Sequence, residues 1–148
     1  DVKQNRVVFL IKNRDTHKIV GAVGRSLNKN DFPKWYMYGN KDVPFKCGDC
    51  EDSVIVEDCP SACAVSNILT GVAIMGTKLK DIQKSHLKPY KNLYICLDRD
   101  ATTKAYDMAK DLRSSGFENV IVKPLEDDLK YYNTEQIREI FYDRKTID

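Results

Sequence analysis

A chain of 148 residues with 24 Lys and Arg against 22 Asp and Glu is long enough for one ordinary domain, or one domain with a small lobe, and its formal charge of +2 is nearly balanced. No stretch approaches the ~20 consecutive apolar residues of a membrane-spanning helix, so a partnership with the membrane through such a helix is excluded. Without global basic character, any affinity for nucleic acid must come from a local basic face set against a local acidic site.

The first third predicts short strands around Val7–Ile11, Ile19–Val23 and Trp35–Tyr38, divided by the turn-forming runs Asn13-Arg14-Asp15 and Asn28-Lys29-Asn30-Asp31. From Ser53 the texture changes to alternating strand and helix. Strands are predicted at Ser53–Glu57, Gly71–Met75, Leu93–Leu97 and Asn119–Lys123, and helices at Ser61–Leu69, Leu79–Ser85, Thr102–Ser114 and Thr134–Tyr142. This order implies an α/β fold, a parallel sheet with right-handed crossovers flanked by helices, preceded by a small strand-rich N-terminal lobe. The expected division is 1–50 and 51–148. Within the third helix Ala105, Met108, Ala109 and Leu112 recur at three-to-four spacing, a core-facing stripe, and Gly116 closes the helix.

The run Leu93-Tyr94-Ile95-Cys96-Leu97 ends in Asp98-Arg99-Asp100. A continuous apolar run reads as a strand buried on both faces, and open α/β sheets bind ligands at the carboxyl ends of their strands. If the chain stays extended, alternation puts Asp98 and Asp100 on one side, where both can reach a hard cation such as Mg²⁺. Arg99 would then point the other way, toward a salt bridge. Asp98 would equally end a strand and Asp100 cap the helix beginning near Ala101. Ser53-Val54-Ile55-Val56-Glu57 is a second β-branched run ending in a carboxylate, with Pro60 suited to the first turn of the following helix. On neighbouring parallel strands, Glu57, Asp98 and Asp100 would converge at one edge and repel one another unless a cation or a basic residue compensates.

Val-Ile-Val-Glu followed by Leu-Asp-Arg-Asp on successive strands resembles the Toprim domain, the metal-binding module of bacterial-type primases, type IA and type II topoisomerases and a set of nucleases. The resemblance covers roughly Ser53 to Ile140. Upstream, Arg6-Val7-Val8-Phe9-Leu10-Ile11, Ile19 to Leu27 with its Gly24-Arg25, Pro33-Lys34-Trp35 and Phe45-Lys46 look like the segments that precede Toprim in bacterial and phage primases. Leu10 stands where the family usually has Pro, and Trp35 where it usually has Tyr. The resemblance implies that Arg6, Arg25, Lys34 and Lys46 line a groove for template phosphates and the incoming triphosphate, a task suited to Arg and Lys. It also implies a further acidic ligand after the last strand, assigned to Asp128 with Asp127 as the next candidate. Read alone, Glu126, Asp127 and Asp128 would be a solvated turn.

The implied activity is that of a nucleotidyltransferase, a DNA primase making short RNA primers on single-stranded DNA from ribonucleoside triphosphates. Glu57, Asp98, Asp100 and Asp128 would hold Mg²⁺ or Mn²⁺, with Glu57 as a further ligand or the general base. One departure bears on this: the family follows its Glu with Gly and places an Asp four residues after it, whereas here Asp58 and Ser61 occupy those positions. The alternatives are a Toprim nuclease, which needs neither Lys34 nor Lys46, and a non-catalytic accessory domain binding DNA or a helicase. A replicative helicase is the expected protein partner, the cytoplasm of a bacterium or phage host the expected location, and a phage the expected origin. Cys47, Cys50, Cys59, Cys63 and Cys96 are expected as reduced, unliganded thiols, although the pairs Cys47/Cys50 and Cys59/Cys63 have spacings tolerable for zinc. The chain opens at Asp1 rather than Met and is expected to be a fragment, with any zinc module upstream.

Overall fold

The computed structural model describes residues 5–13, 15–30 and 32–142. The chain divides into two compact units, Asp1–Phe45 and Lys46–Asp148, a few residues before the compositional change at Ser53.

The first unit is an antiparallel sheet of β1 (Arg6–Lys12), β2 (Ile19–Ser26) and β3 (Trp35–Gly39), in the order β1-β2-β3. Phe9, Val23 and Met37 lie opposite one another across the three strands, and Ile11 and Val23 are fully buried. On the other face Gly24 makes room for the β3 aromatics. A Cβ there would lie 2.9 Å from the Tyr38 ring and 3.1 Å from Arg6 Cδ, so the missing side chain lets both lie across the strand.

A five-stranded sheet, which belongs to the second unit apart from Phe45 at its start, holds β4 (Phe45–Cys47), β5 (Ser53–Val56), β6 (Thr70–Ala73), β7 (Leu93–Ile95) and β8 (Val120–Val122), in the order β4-β6-β5-β7-β8. β5, β6, β7 and β8 run parallel, with Ser53 in register with both Thr70 and Leu93, and Leu93 with Val120. Val54, Ile55 and Val56 are buried because both faces of β5 are covered, the reason its sequence is apolar without alternation. The chain leaves β5 for β6 on one side and then crosses to β7 on the other. The carboxyl ends of β5 and β7 therefore flank a topological switch point, where open α/β sheets place their ligands.

Among the described residues the second unit also forms four α-helices: α1 (Cys59–Ala64), α2 (Asp81–Lys84), α3 (Thr102–Ser114) and α4 (Thr134–Tyr142). α1 starts earlier than expected, with Pro60 in its first turn and Asp58 as N-cap, and after Val65 the chain runs in turns to Leu69. It packs so closely on β6 that a Cβ on Gly71 would meet the Ala62 carbonyl oxygen at 2.2 Å. β6 stops at Ala73, and Met75 adopts a positive φ of 56° that a strand cannot include. α3 buries the expected Ala105, Met108, Ala109 and Leu112. It ends in a Schellman motif, with the Gly116 N–H bonded to Arg113 O at 3.1 Å, the Phe117 N–H to Leu112 O at 3.1 Å, and φ +101° at Gly116. α4 opens with a reciprocal cap between Asn133 and Gln136, buries Ile137 and Phe141, and sets Phe141 edge-on to Tyr94 at 5.0 Å.

Candidate functional site

The carboxyl ends of β5 and β7 bring Glu57 and Asp98 together. Glu57 Oε1 accepts the Asp98 backbone N–H at 3.0 Å, a bond that ties the end of one strand to the exit from its neighbour. Asp128, the N-cap of the short 3-10 turn Leu129–Tyr131, is hydrogen-bonded to Asp98 through its side chain. The result is a trio of partly buried carboxyl groups. Burial, the hydrogen bond to Asp128 and the charges of Glu57 and Asp128 push the Asp98 carboxyl up to about 7.

Around the trio, Asp58 Oδ1 accepts the Ser61 N–H at 2.9 Å, and Lys130 Nζ lies 3.2 Å from Asp58 Oδ2 and 3.4 Å from Asp128 Oδ2. The Ser61 position thus contributes a backbone donor, and the carboxylate in this part of the helix start is Asp58. Pattern reading placed no role on Lys130, because a Lys in an acidic turn reads as solvated.

The extended alternation expected for Asp98 and Asp100 does not hold. β7 ends at Ile95, Asp98 leads out of the strand, and Arg99–Ala101 is a 3-10 turn. Asp100 is therefore exposed in a turn, two residues beyond the partly buried Asp98. Arg99 is exposed and lines an open cleft with Thr102, Pro124, Leu125 and Glu126. Glu126 and Asp127 are exposed, which leaves Asp128 as the member of the acidic run that reaches the trio.

Hard oxygen donors crowded against one another are the chemistry that Mg²⁺ or Mn²⁺ takes, and the raised Asp98 carboxyl registers the lack of full compensation. Glu57, Asp98 and Asp128 fit such an ion by donor type. Among the described residues, no three His, Cys, Asp or Glu side chains stand grouped as a ready metal site.

The four basic residues expected to meet phosphate fall in both units. Arg6 is buried, and its guanidinium donates to Pro33 O at 2.7 Å, Gly24 O at 3.3 Å and Lys34 O at 3.4 Å. It shapes the Pro33–Lys34 segment, because its inward-facing fork donates to the Pro33 carbonyl and adds a second donor to Lys34 O, which also accepts the Ser26 N–H at 3.0 Å. Arg25 lies over the Trp35 ring at 5.0 Å, and its Nη1 is buried without a hydrogen-bond partner among the described residues. Lys34 is exposed. In the second unit, Lys46 donates to His86 O at 2.7 Å and lies over the Tyr90 ring at 4.8 Å. Burial, and then the Lys46 charge, hold His86 below the usual histidine range.

All five cysteines are free thiols. Cys59 is buried at the start of α1, with its sulfur 3.8 Å from Met75 Sδ. Burial pushes Cys63 and Cys96 each up to about 12, Cys63 with help from a hydrogen bond to Cys47, which keeps these thiols protonated and poorly nucleophilic.

No protein-family model and no curated protein matches the chain. Among solved structures it is similar to the crystal structure of the Aquifex aeolicus primase comprising zinc-binding and RNA polymerase domains, with 26% identity and a TM-score of 0.69. The similarity covers 95% of this chain and 38% of that one, so the chain spans well under half the length of its structural neighbour. The likeness supports a primase-type domain built on the α/β architecture described above. Among the described residues no helix is long and apolar enough to cross a membrane.

Proposed function

We propose that the chain is the Toprim-type catalytic core of a DNA primase, which joins ribonucleoside triphosphates into short RNA primers on single-stranded DNA with Mg²⁺ or Mn²⁺. The observation that carries this reading is the convergence of Glu57, Asp98 and Asp128 at the switch point of the parallel sheet, in a chain whose fold is that of a primase neighbour over almost its whole length.

Glu57, Asp98 and Asp128 are the residues that would hold the divalent cation. Bound there, it would supply positive charge against the negative charge that develops on the transferred phosphoryl group. Glu57 Oε1 is occupied by the Asp98 N–H, so its remaining oxygen is the one available to a ligand or to the proton of a 3′-hydroxyl. The buried Nη1 of Arg25 is a donor that a phosphate oxygen would satisfy, and the exposed Lys34 beside Trp35 supplies a second cation in the same unit. Lys46 is held at His86 and Tyr90 and would act from the second unit. Asp100, outside the trio, is assigned no ligand role.

The test is primer synthesis on mixed-sequence single-stranded DNA with labelled ribonucleotides and Mg²⁺ or Mn²⁺, using the polypeptide at its natural length. Short RNA products that disappear in Asp98→Ala and fall sharply in Lys34→Ala are expected. Metal-dependent DNA cleavage that needs Asp98 but neither Lys34 nor nucleoside triphosphates would replace the primase with a Toprim nuclease.

A further inference from the structure

The acidic edge contains a cation of its own. Lys130 Nζ bridges Asp58 and Asp128, at 3.2 and 3.4 Å. Asp58 is fixed from both sides, since its other oxygen caps α1 through the Ser61 N–H at 2.9 Å. The Lys130, Asp58 and Asp128 side chains are 31%, 16% and 24% exposed, so the bridge is partly shielded from solvent. Asp128 in turn meets Asp98, and Asp98 meets Glu57. One continuous chain of contacts therefore runs from the start of α1 through Lys130 to the carboxyl ends of β5 and β7.

Resting on the metal-dependent reading above, we propose that Lys130 is a built-in counter-cation, which occupies the Asp58 side of the acidic edge, positions Asp128, and limits the site to one divalent ion on the Glu57 and Asp98 side. The physical basis is competition. Carboxylate oxygens held by an ammonium are withdrawn from a metal, and a fixed positive charge repels a second cation brought to the same cluster. Without Lys130, Asp58 and Asp128 would be neighbouring carboxylates with no internal cation between them, and a second ion or a tighter first one would follow. Lys130 is a positioning residue in this scheme, acting through Asp128.

Mn²⁺ binding to the intact chain, followed by the loss of the free-ion electron paramagnetic resonance signal, reads this directly and without reference to activity. Wild type and Lys130→Arg are expected to bind one Mn²⁺. Lys130→Met is expected to bind two, or one about tenfold more tightly, the scale of a one-unit electrostatic shift. Asp98→Asn should lose the ion. Asp58→Asn keeps a capping oxygen but releases Lys130 onto Asp128, so weaker Mn²⁺ binding is expected, and this variant keeps the proposal open to refutation if Lys130→Met fails to fold. Equal stoichiometry and affinity in wild type and in whichever of Lys130→Met and Asp58→Asn folds, with binding lost in Asp98→Asn, would overturn the role of Lys130 and leave the metal site standing. No binding to any form would overturn both.

Discussion

In the three-stranded sheet charge is absorbed into packing, whereas at the carboxyl ends of β5 and β7 charge is left in conflict. Arg6 is buried, yet its guanidinium meets three carbonyls and the Tyr36 ring. Asp98 is partly buried without a matched cation, and burial first, then the like charges of Glu57 and Asp128, push its carboxyl up to about 7. Burial alone therefore does not mark a functional group. A charge with matched partners contributes to the fold, and a cluster of like charges persists only where a ligand or counter-ion gives it a purpose. Arg25 stands between the two cases, stacked on Trp35 but with Nη1 unpartnered among the described residues, and it is the cation of the first sheet that most resembles a binding group.

The contrast is sharpest in activity. Asp98→Ala should reduce primer synthesis by at least about 10³-fold, on the order of 4 kcal/mol of transition-state stabilisation, while Asp100→Ala should cost less than about tenfold. Equal losses in steady-state assays would show that the turn at Arg99–Ala101 rearranges to bring Asp100 into the site.

Next in size is a change that breaks the second unit without touching its charges. Gly71→Ala drives a methyl into the Ala62 backbone, which cannot move aside as a flexible side chain would, and a loss of about 3 kcal/mol is expected in denaturant unfolding. The corresponding change in the first unit is Arg6→Ala. It strips donors from the Gly24, Pro33 and Lys34 carbonyls, with an expected cost of about 2 kcal/mol. Arg6→Lys should recover only part of this, since an ammonium cannot reproduce the planar fork. Full stability in Arg6→Ala, with nucleic-acid affinity lost, would move Arg6 to the binding side of the comparison.

The smallest effect tests the conflict itself. The Asp98 carboxyl sits at about 7 in the folded chain against an ordinary 3.8, so between these values the folded state binds more protons than the unfolded. Its contribution to stability is greatest below about pH 4 and is lost as pH rises toward 7. Asp98→Asn removes that dependence. The unfolding free energy of the variant minus that of wild type should therefore grow between pH 4 and 7, by on the order of 1 kcal/mol after solvent screening, and Mn²⁺ should restore the wild type.

Much of this was legible in the sequence where local pattern and packing agree. α3 and α4 keep the bounds given by their apolar spacing, because each presents one stripe to a sheet. Glu57 beside Asp98 follows from two apolar runs ending in acid on adjacent parallel strands, and Asp128 from its position past β8. The end of β7 was hidden because Cys96 and Leu97 remain apolar and buried after the ladder stops, so composition cannot distinguish a strand from a buried exit. That is why the geometry of Asp100 differs from extended alternation. The inward fork of Arg6 depends on the carbonyls of a segment 27 and 28 residues away, and the Lys130 bridge to Asp58 spans 72, distances over which residue pattern carries no signal.

The most direct measurement is anomalous diffraction at the manganese edge from crystals of this chain grown with Mn²⁺. A single peak bounded by Asp98, Asp128 and Glu57, with Asp100 outside its coordination and Lys130 still on Asp58, is the expected result. A peak that leaves Asp98 untouched, or no peak at the carboxyl ends of β5 and β7, would contradict the assignment of the acidic edge as a metal-dependent active site.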